Sequence, residues 1–235
     1  MLVNAAFLII GDEILSGRTV DKNLNFLAKE LTARGINLKE VRVVPDDEQK
    51  IIAAVNELRK NFHYVFTCGG IGPTHDDITS DAIAKAFGDR LVKNEEAEKI
   101  LILHYGKEGV NEARLKMAFV PSKASLLDNP VSSAPGFMME NVIVMAGVPK
   151  IMQAMFFAAE KKLIGGDKVI SKEIKTNFTE SVIAADLTNL QKEFPNVSMG
   201  SYPFEGGTAL VFRSTNLDDL DLSVKKMEKI LSQIK

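Results

Sequence analysis

The sequence predicts an α/β protein: a doubly wound, mostly parallel sheet with helices on both faces, followed by a small α+β unit of βαββα order. Three observations carry this. From residue 5 to residue 87, short apolar runs that stop at glycine alternate with segments of helical periodicity. A strand covered on both faces reads as a continuous apolar run, and its alternation with helices marks parallel βαβ units. Further on, "FMMENVIVMAGVP" holds two apolar stretches linked by Glu140-Asn141, which implies an antiparallel hairpin. Finally, "IGGDK" at 164–168 interrupts the pattern, so residues 1–165 are expected to form the large domain and 166–235 the small one.

The elements follow in order. Ala5 to Ile10 is the first strand, stopped by Gly11; Leu24, Leu27, Ala28 and Leu31 recur at helical spacing up to Gly35. Leu38 to Val44 is the next strand. Ile51, Ile52, Val55 and Leu58 mark a helix that starts at Asp46-Asp47, where Asp46 and Gln49 have capping-box spacing. Tyr64 to Cys68 is a third strand, stopped by Gly69 and Gly70, and a helix runs from Asp81 to Phe87. Beyond Phe87 the pattern loosens into helices around Glu95–Leu103 and Asn111–Met117. Pro149 opens a helix to about Leu163, since proline suits a first turn where its missing N–H costs nothing. The stretch "MQAMFFAA" at 152–159 reads as a core helix ahead of an interface face. In the small unit, Val169–Ile174, Val197–Tyr202 and Ala209–Arg213 are strands, and Glu180–Phe194 and Leu217–Ile234 are helices.

Composition narrows the function. With 46% hydrophobic and 26% charged residues and a net charge of -2, the chain has no basic field to drive it onto nucleic acid. No run approaches the roughly 18 apolar residues of a membrane helix, and "LVNAAFLII" lacks the flanks of a signal peptide. Cys68 is the only cysteine, which excludes an internal disulfide or a thiolate zinc cluster, and a cytoplasmic location is expected. Next to glycine at a strand end, it reads as a small core residue.

In an open parallel sheet, ligands settle beyond the carboxyl ends of the strands. Three loops lie there. "GDEILSGRTVDKN" places Gly11, Asp12 and Glu13 at the end of strand one, with Asp21 or Asn23 able to cap the next helix. "VPDDEQ" carries Asp46, which capping alone would explain. "TCGGIGPTHDDITSDAI" brings Gly69, Gly70, Gly72 and Pro73 before the hydroxyls Thr74, Thr79 and Ser80 and a helix start, a pattern suited to a phosphate held by backbone N–H groups. Asp76 and Asp77 in the same stretch would repel a bare phosphate. A divalent cation shared with the phosphate resolves the conflict; the alternative is helix capping by Asp77 or Thr79 with surplus surface charge. No P-loop, G-x-G-x-x-G or G-x-S-x-G elbow is present, and His63, His75 and His104 lack the separations of a zinc protease.

"GDEILSGRTVDKN", "TCGGIGPTHDDIT", "NEARLKMAFVP", "NPVSSAPGF" and "MAGVPKIM" occur in that order over about residues 4 to 160. Together they resemble the N-terminal domain of the CinA (competence/damage-inducible) family, and more widely the molybdopterin-binding fold of MogA, MoaB and MoeA. The tail is similar to the small domain that follows in CinA-type proteins. The resemblance implies a three-layer α/β/α fold, a ligand on the glycine loop and a homo-oligomer. It extends to the corresponding half of eukaryotic FAD synthases, which implies hydrolysis of FAD or ADP-ribose. It does not extend to the amidohydrolase domain of longer CinA proteins, so nicotinamide mononucleotide deamidation is not carried over.

Residue by residue, Gly69, Gly70, Gly72 and Pro73 match the ligand-cradling loop, Asp77 the acid after it, Asp46 the acid at the end of the second strand, and Gly136 and Gly147 to Pro149 two further site loops. Ile151 stands where the family often has glutamate. The implied activity is a pyrophosphatase that depends on magnesium, manganese or cobalt. In it Asp76 and Asp77 position metal or water, Asp46 makes a second acidic contact, the backbone of Gly69 to Thr74 holds the diphosphate, and Arg18 or Lys116 neutralises it. Molybdopterin binding or adenylyl transfer, and a non-catalytic nucleotide-binding module, are the alternatives.

Overall fold

The computed structural model describes residues 1–234, which divide into two compact units, Met1–Gly166 and Asp167 onward. In the first, a six-stranded sheet has the order β2-β1-β3-β8-β7-β6. Strands β1 (Val3–Ile10), β2 (Ile36–Val44), β3 (Tyr64–Cys68) and β8 (Val142–Met145) run parallel, while β7 (Gly136–Met139) and β6 (Ser125–Leu127) close one edge antiparallel. The apolar runs are explained by burial on both faces. Phe7, Ile9, Phe66, Ile143 and Met145 point into one core with α2 (Asn23–Ala33) and α7 (Pro149–Glu160). Ala6, Leu8, Ile10, Val65, Val142 and Val144 point into the other, with α3 (Glu48–Asn61) and α4 (Thr79–Ala86). This is the three-layer arrangement, and each fully buried large side chain contributes roughly 1.5–3 kcal/mol.

Caps fix where the helices begin. Asp21 accepts from the N–H groups of Asn23 and Leu24 at 3.2 and 2.8 Å. At α3 the cap is Asp47, which accepts from Lys50 N at 2.9 Å. Asp46, to which the capping-box spacing pointed, instead accepts from Asp12 N at 3.0 Å, so capping does not explain it. The β7–β8 hairpin turns at Glu140, in the left-handed region with φ 51°. Its second residue is anchored from outside: Asn141 Nδ2 donates to the Arg59 and Phe62 carbonyls, each at 2.9 Å. The stretch 152–159 faces the core through Met152, Met155, Phe156 and Ala159, and turns Phe157 outward.

Four short elements escape the sequence pattern: α1 (Asp12–Leu15), β4 (Leu91–Lys93), β5 (Phe119–Pro121) and β6. Each is too short to show a period. β4 and β5 pair antiparallel at the base of an excursion that carries α5 (Glu95–Tyr105) and α6 (Glu112–Lys116).

The second unit has β9 (Ile170–Thr176), α8 (Glu180–Glu193), β10 (Ser198–Phe204), β11 (Gly207–Ser214) and α9 (Leu217–Leu231). Its antiparallel sheet, in the order β10-β11-β9, is covered by both helices through Ile183, Leu190, Leu210, Phe212, Leu220 and Met227. Among the described residues no helix is long and apolar enough to cross a membrane.

Candidate functional site

β3 ends at Cys68 and delivers two glycines in conformations that L side chains rarely adopt, Gly69 at φ 105° and Gly70 at φ 66°. At Gly69 the need is also spatial, since a Cβ there would lie 2.1 Å from the Ile10 carbonyl oxygen. Gly69 N donates to Met145 O at 3.1 Å, and the Gly147 turn after β8 packs directly against it. Thr79, fully buried at the start of α4, pulls the turn's carbonyls back: its N–H donates to Gly70 O and its hydroxyl to Gly69 O, both at 2.9 Å. Thr79 therefore shapes the turn rather than offering its hydroxyl to a ligand. Among the described residues nothing accepts from the N–H groups of Gly70, Ile71 and Gly72. Three successive unpaired donors are what an anion-binding turn requires.

These donors border a cavity of about 580 Å³. Its wall brings together Glu13, Gly69, Gly70, Gly72, Pro73, Asp77, Gly147 and Pro149 from the predicted set. The rest of the wall comes from residues not singled out for the site: Tyr105, and, from within the resemblance motifs, Arg114 and Met117 of the α5–α6 excursion with Asn129, Ser132 and Ala134 of the loop before β7. Asn129 folds that loop. Its Nδ2 donates to Ser132 Oγ at 2.6 Å and Ala134 O at 2.8 Å, and its Oδ1 accepts from Val131 N and Ser132 N. The motif "NPVSSAPGF" thus encodes a loop shape. Ile151 adds an apolar side chain to the wall, with Met155.

Other predicted residues lie outside the wall. Gly136 is buried in β7, where a Cβ would meet Val144 O at 2.5 Å, so it serves close strand packing. Gly11 donates to Val44 O at 3.1 Å and lies beneath the Glu13 carboxylate. Asp12 is exposed and offers its N–H to Asp46. Ser80 lines a separate small pocket with Gly72, Asp77, Asp81 and Lys116. Thr74 donates its N–H at 2.8 Å and its hydroxyl to Asp77 Oδ2, closing the turn. Lys116 Nζ donates to Thr74 O, and neither it nor Arg18 reaches the wall; Arg114 is the one Lys or Arg there among the described residues.

The acids divide accordingly. Asp77 lies over Gly72 at the cavity edge. Asp76 is exposed beside the turn, and the nearby Thr74 hydroxyl and its own N–H hold its carboxyl below the ordinary range. Asp46 is half-buried; burial, with the charges of Asp12, Glu13 and Asp76, pushes its carboxyl up. Among the described residues no three His, Cys, Asp or Glu side chains come together to hold a metal ion. The donor set therefore does not fit a resident metal. One or two carboxylates beside an anion cradle do fit a cation that arrives with a phosphate ligand.

Residues 6–164 match the family model described as "Probable molybdopterin binding domain". The chain belongs to this molybdopterin-binding family. Residues 168–235 match a second model, "FAD synthase, middle domain". A protein of Archaeoglobus fulgidus is 34% identical over 223 residues, covering 95% of this chain and 96% of its own length. The crystal structure of CinA from Thermoplasma acidophilum, described as of unknown function, is 38% identical with a TM-score of 0.64, covering 68% of this chain and 99% of that one. A competence-damage inducible protein of Clostridium botulinum is 32% identical over 99% of this chain, which spans 60% of that relative. The family match covers the sheet, the glycine turns and the excursion. CinA-like character, read from the five motifs, is thereby shown.

Proposed function

We propose that the cavity binds a nucleotide diphosphate such as ADP-ribose or FAD and that the protein hydrolyses its phosphoanhydride. The observation that carries this reading is the juxtaposition of three unpaired N–H donors with a largely apolar cavity of about 580 Å³, a volume that suits a flat heterocycle. The donors suit a diphosphate and the apolar wall suits a base or flavin. The second unit's similarity to a domain named for FAD synthase supports a nucleotide ligand. A divalent cation entering with the substrate supplies charge neutralisation.

The chain's own groups do the rest. Gly70, Ile71 and Gly72 N–H groups orient the diphosphate, and Asp77, held by Thr74, orients the attacking water. The water oxygen bonds to one phosphorus as the bridging P–O bond breaks, so ADP-ribose gives AMP and ribose 5-phosphate, and FAD gives AMP and FMN. In-line attack of this kind needs positioning more than covalent help. The test is AMP release from ADP-ribose and FAD with magnesium, manganese or cobalt. Asp77→Asn is expected to lower it by about a hundredfold. No release from either substrate, or equal release by the variant, overturns the reading.

A second reading, binding of molybdopterin or adenylyl transfer to it, is favoured by the family match and uses the same cradle. Tight binding of the pterin by a protein that releases no AMP would select it.

A further inference from the structure

One wall of the cavity does not come from the sheet edge. It belongs to the excursion, whose helices pack through Ala97, Leu101 and Ala118, with Tyr105 and Met117 against them. Within it the Arg114 guanidinium lies over the Tyr105 ring, 4.1 Å from the centroid. The His104 ring abuts the same tyrosine edge-on, with centroids 4.5 Å apart. Arg114 Nη1 donates to the Gly109 carbonyl, which fixes the plane. Among the described residues its partners are a ring and a carbonyl, not a carboxylate.

A guanidinium is planar, weakly hydrated and able to stack on both faces. With one face on Tyr105, the other can take a second flat group, as unstacked bases are taken by arginine planes elsewhere. One donor of the guanidinium, Nη1, is committed to Gly109, and the phosphate donors are supplied by the glycine turn, which leaves the face away from Tyr105 as the part of Arg114 with no other task. We infer that Arg114, backed by Tyr105, is the specificity-determining residue of this cavity: it stacks on the heteroaromatic ring of the ligand, so the site selects nucleotides, flavins or pterins over base-free diphosphates. The inference rests on the reading that the cavity takes such a diphosphate, and adds which residue recognises its ring.

The test is calorimetric titration of the full chain, with magnesium, against two non-hydrolysable probes that share one diphosphate mimic: adenosine α,β-methylene diphosphate and base-free methylenediphosphonate. The unaltered protein should prefer the nucleoside probe. Arg114→Gln and Arg114→Lys should both lose about 5- to 100-fold in affinity for it, the range expected for one stacked base, while methylenediphosphonate binding stays unchanged. Tyr105→Phe, which keeps the ring, should behave as the unaltered protein. Unchanged binding of the base-free probe and an unchanged ligand-free melting temperature exclude misfolding as the cause.

Retained affinity in Arg114→Lys, a parallel loss for the base-free probe, or no preference in the unaltered protein overturns the inference. AMP release measured alongside separates the two claims. Loss of stacking affinity without any AMP release by the unaltered protein leaves this inference standing and removes hydrolysis; AMP release with Arg114→Lys fully active does the reverse.

Discussion

Asn23 donates its side-chain amide to the Gly147 carbonyl at 2.8 Å, tying the first residue of α2 to the turn that follows β8. The same amide reaches Cys68 Sγ at 3.6 Å, and Gly147 packs on Gly69, so one buried side chain braces both glycine turns. Its own carbonyl oxygen is buried without a partner, a cost the fold carries in order to keep the amide in place.

Asn23→Ala should therefore destabilise the first unit by about 1–3 kcal/mol, because it leaves the Gly147 carbonyl unsatisfied. Denaturant unfolding measures this, and a parallel loss of affinity for methylenediphosphonate would report movement of the turn. A variant as stable as the unaltered protein contradicts the bracing role.

Two glycine substitutions separate backbone strain from crowding. Gly17 has φ 73° with open space around it, so Gly17→Ala should cost about 1–2 kcal/mol, the conformational term alone. Gly69→Ala adds a clash with the Ile10 carbonyl and should cost clearly more, with anion binding lost. Equal melting temperatures for the two variants would refute the distinction.

Burial pushes the Cys68 thiol up to about 12, despite the hydrogen bond from Asn23. The thiolate is the reactive form, so folded protein at pH 8 should react with a disulfide reagent only as fast as it opens, and stoichiometrically once denatured. Rapid labelling under native conditions would show that the strand end is not closed.

The Asp46 carboxyl is raised by burial and by neighbouring acids, so its ionisation opposes folding. The folded state binds its proton more tightly than the unfolded state, so this penalty is absent below the ordinary aspartate pKa. It appears as pH rises towards the elevated folded value, and is fully present above it. Asp46→Asn keeps an acceptor for Asp12 N and should raise the melting temperature at pH 7, with the gain vanishing in acid. A gain that is independent of pH would mean that something other than charge is responsible.

The legible part of the fold was the part in which local pattern and burial coincide. Ala5 to Ile10 and Tyr64 to Cys68 could be read because central strands are covered on both faces. β4, β5 and β6, three residues each, are fixed by pairing and have no period to detect. The Asp46–Gln49 spacing misled because the cap one residue later, Asp47, satisfies α3 and frees Asp46 to reach Asp12. At the candidate site the glycine turn was visible, since glycines at a strand end are rare and costly unless used. Tyr105 and Arg114 were not. Arg114 lies within one of the resemblance motifs, but nothing in its local stretch marks the Tyr105 ring it covers.

By itself the sequence determined the strand-and-helix order of the sheet, the glycine turns at its edge and the CinA-like membership, because each depends on residues adjacent in the chain or at a fixed short spacing. Only the tertiary structure decided which of the acids borders the cavity, that Thr79 shapes the turn, that Gly136 belongs to strand packing, and that the facing wall is an arginine stacked on a tyrosine. Those outcomes depend on which distant segments share one volume. Close packing and the satisfaction of buried polar groups settle that, and neither is a property of a local stretch of chain.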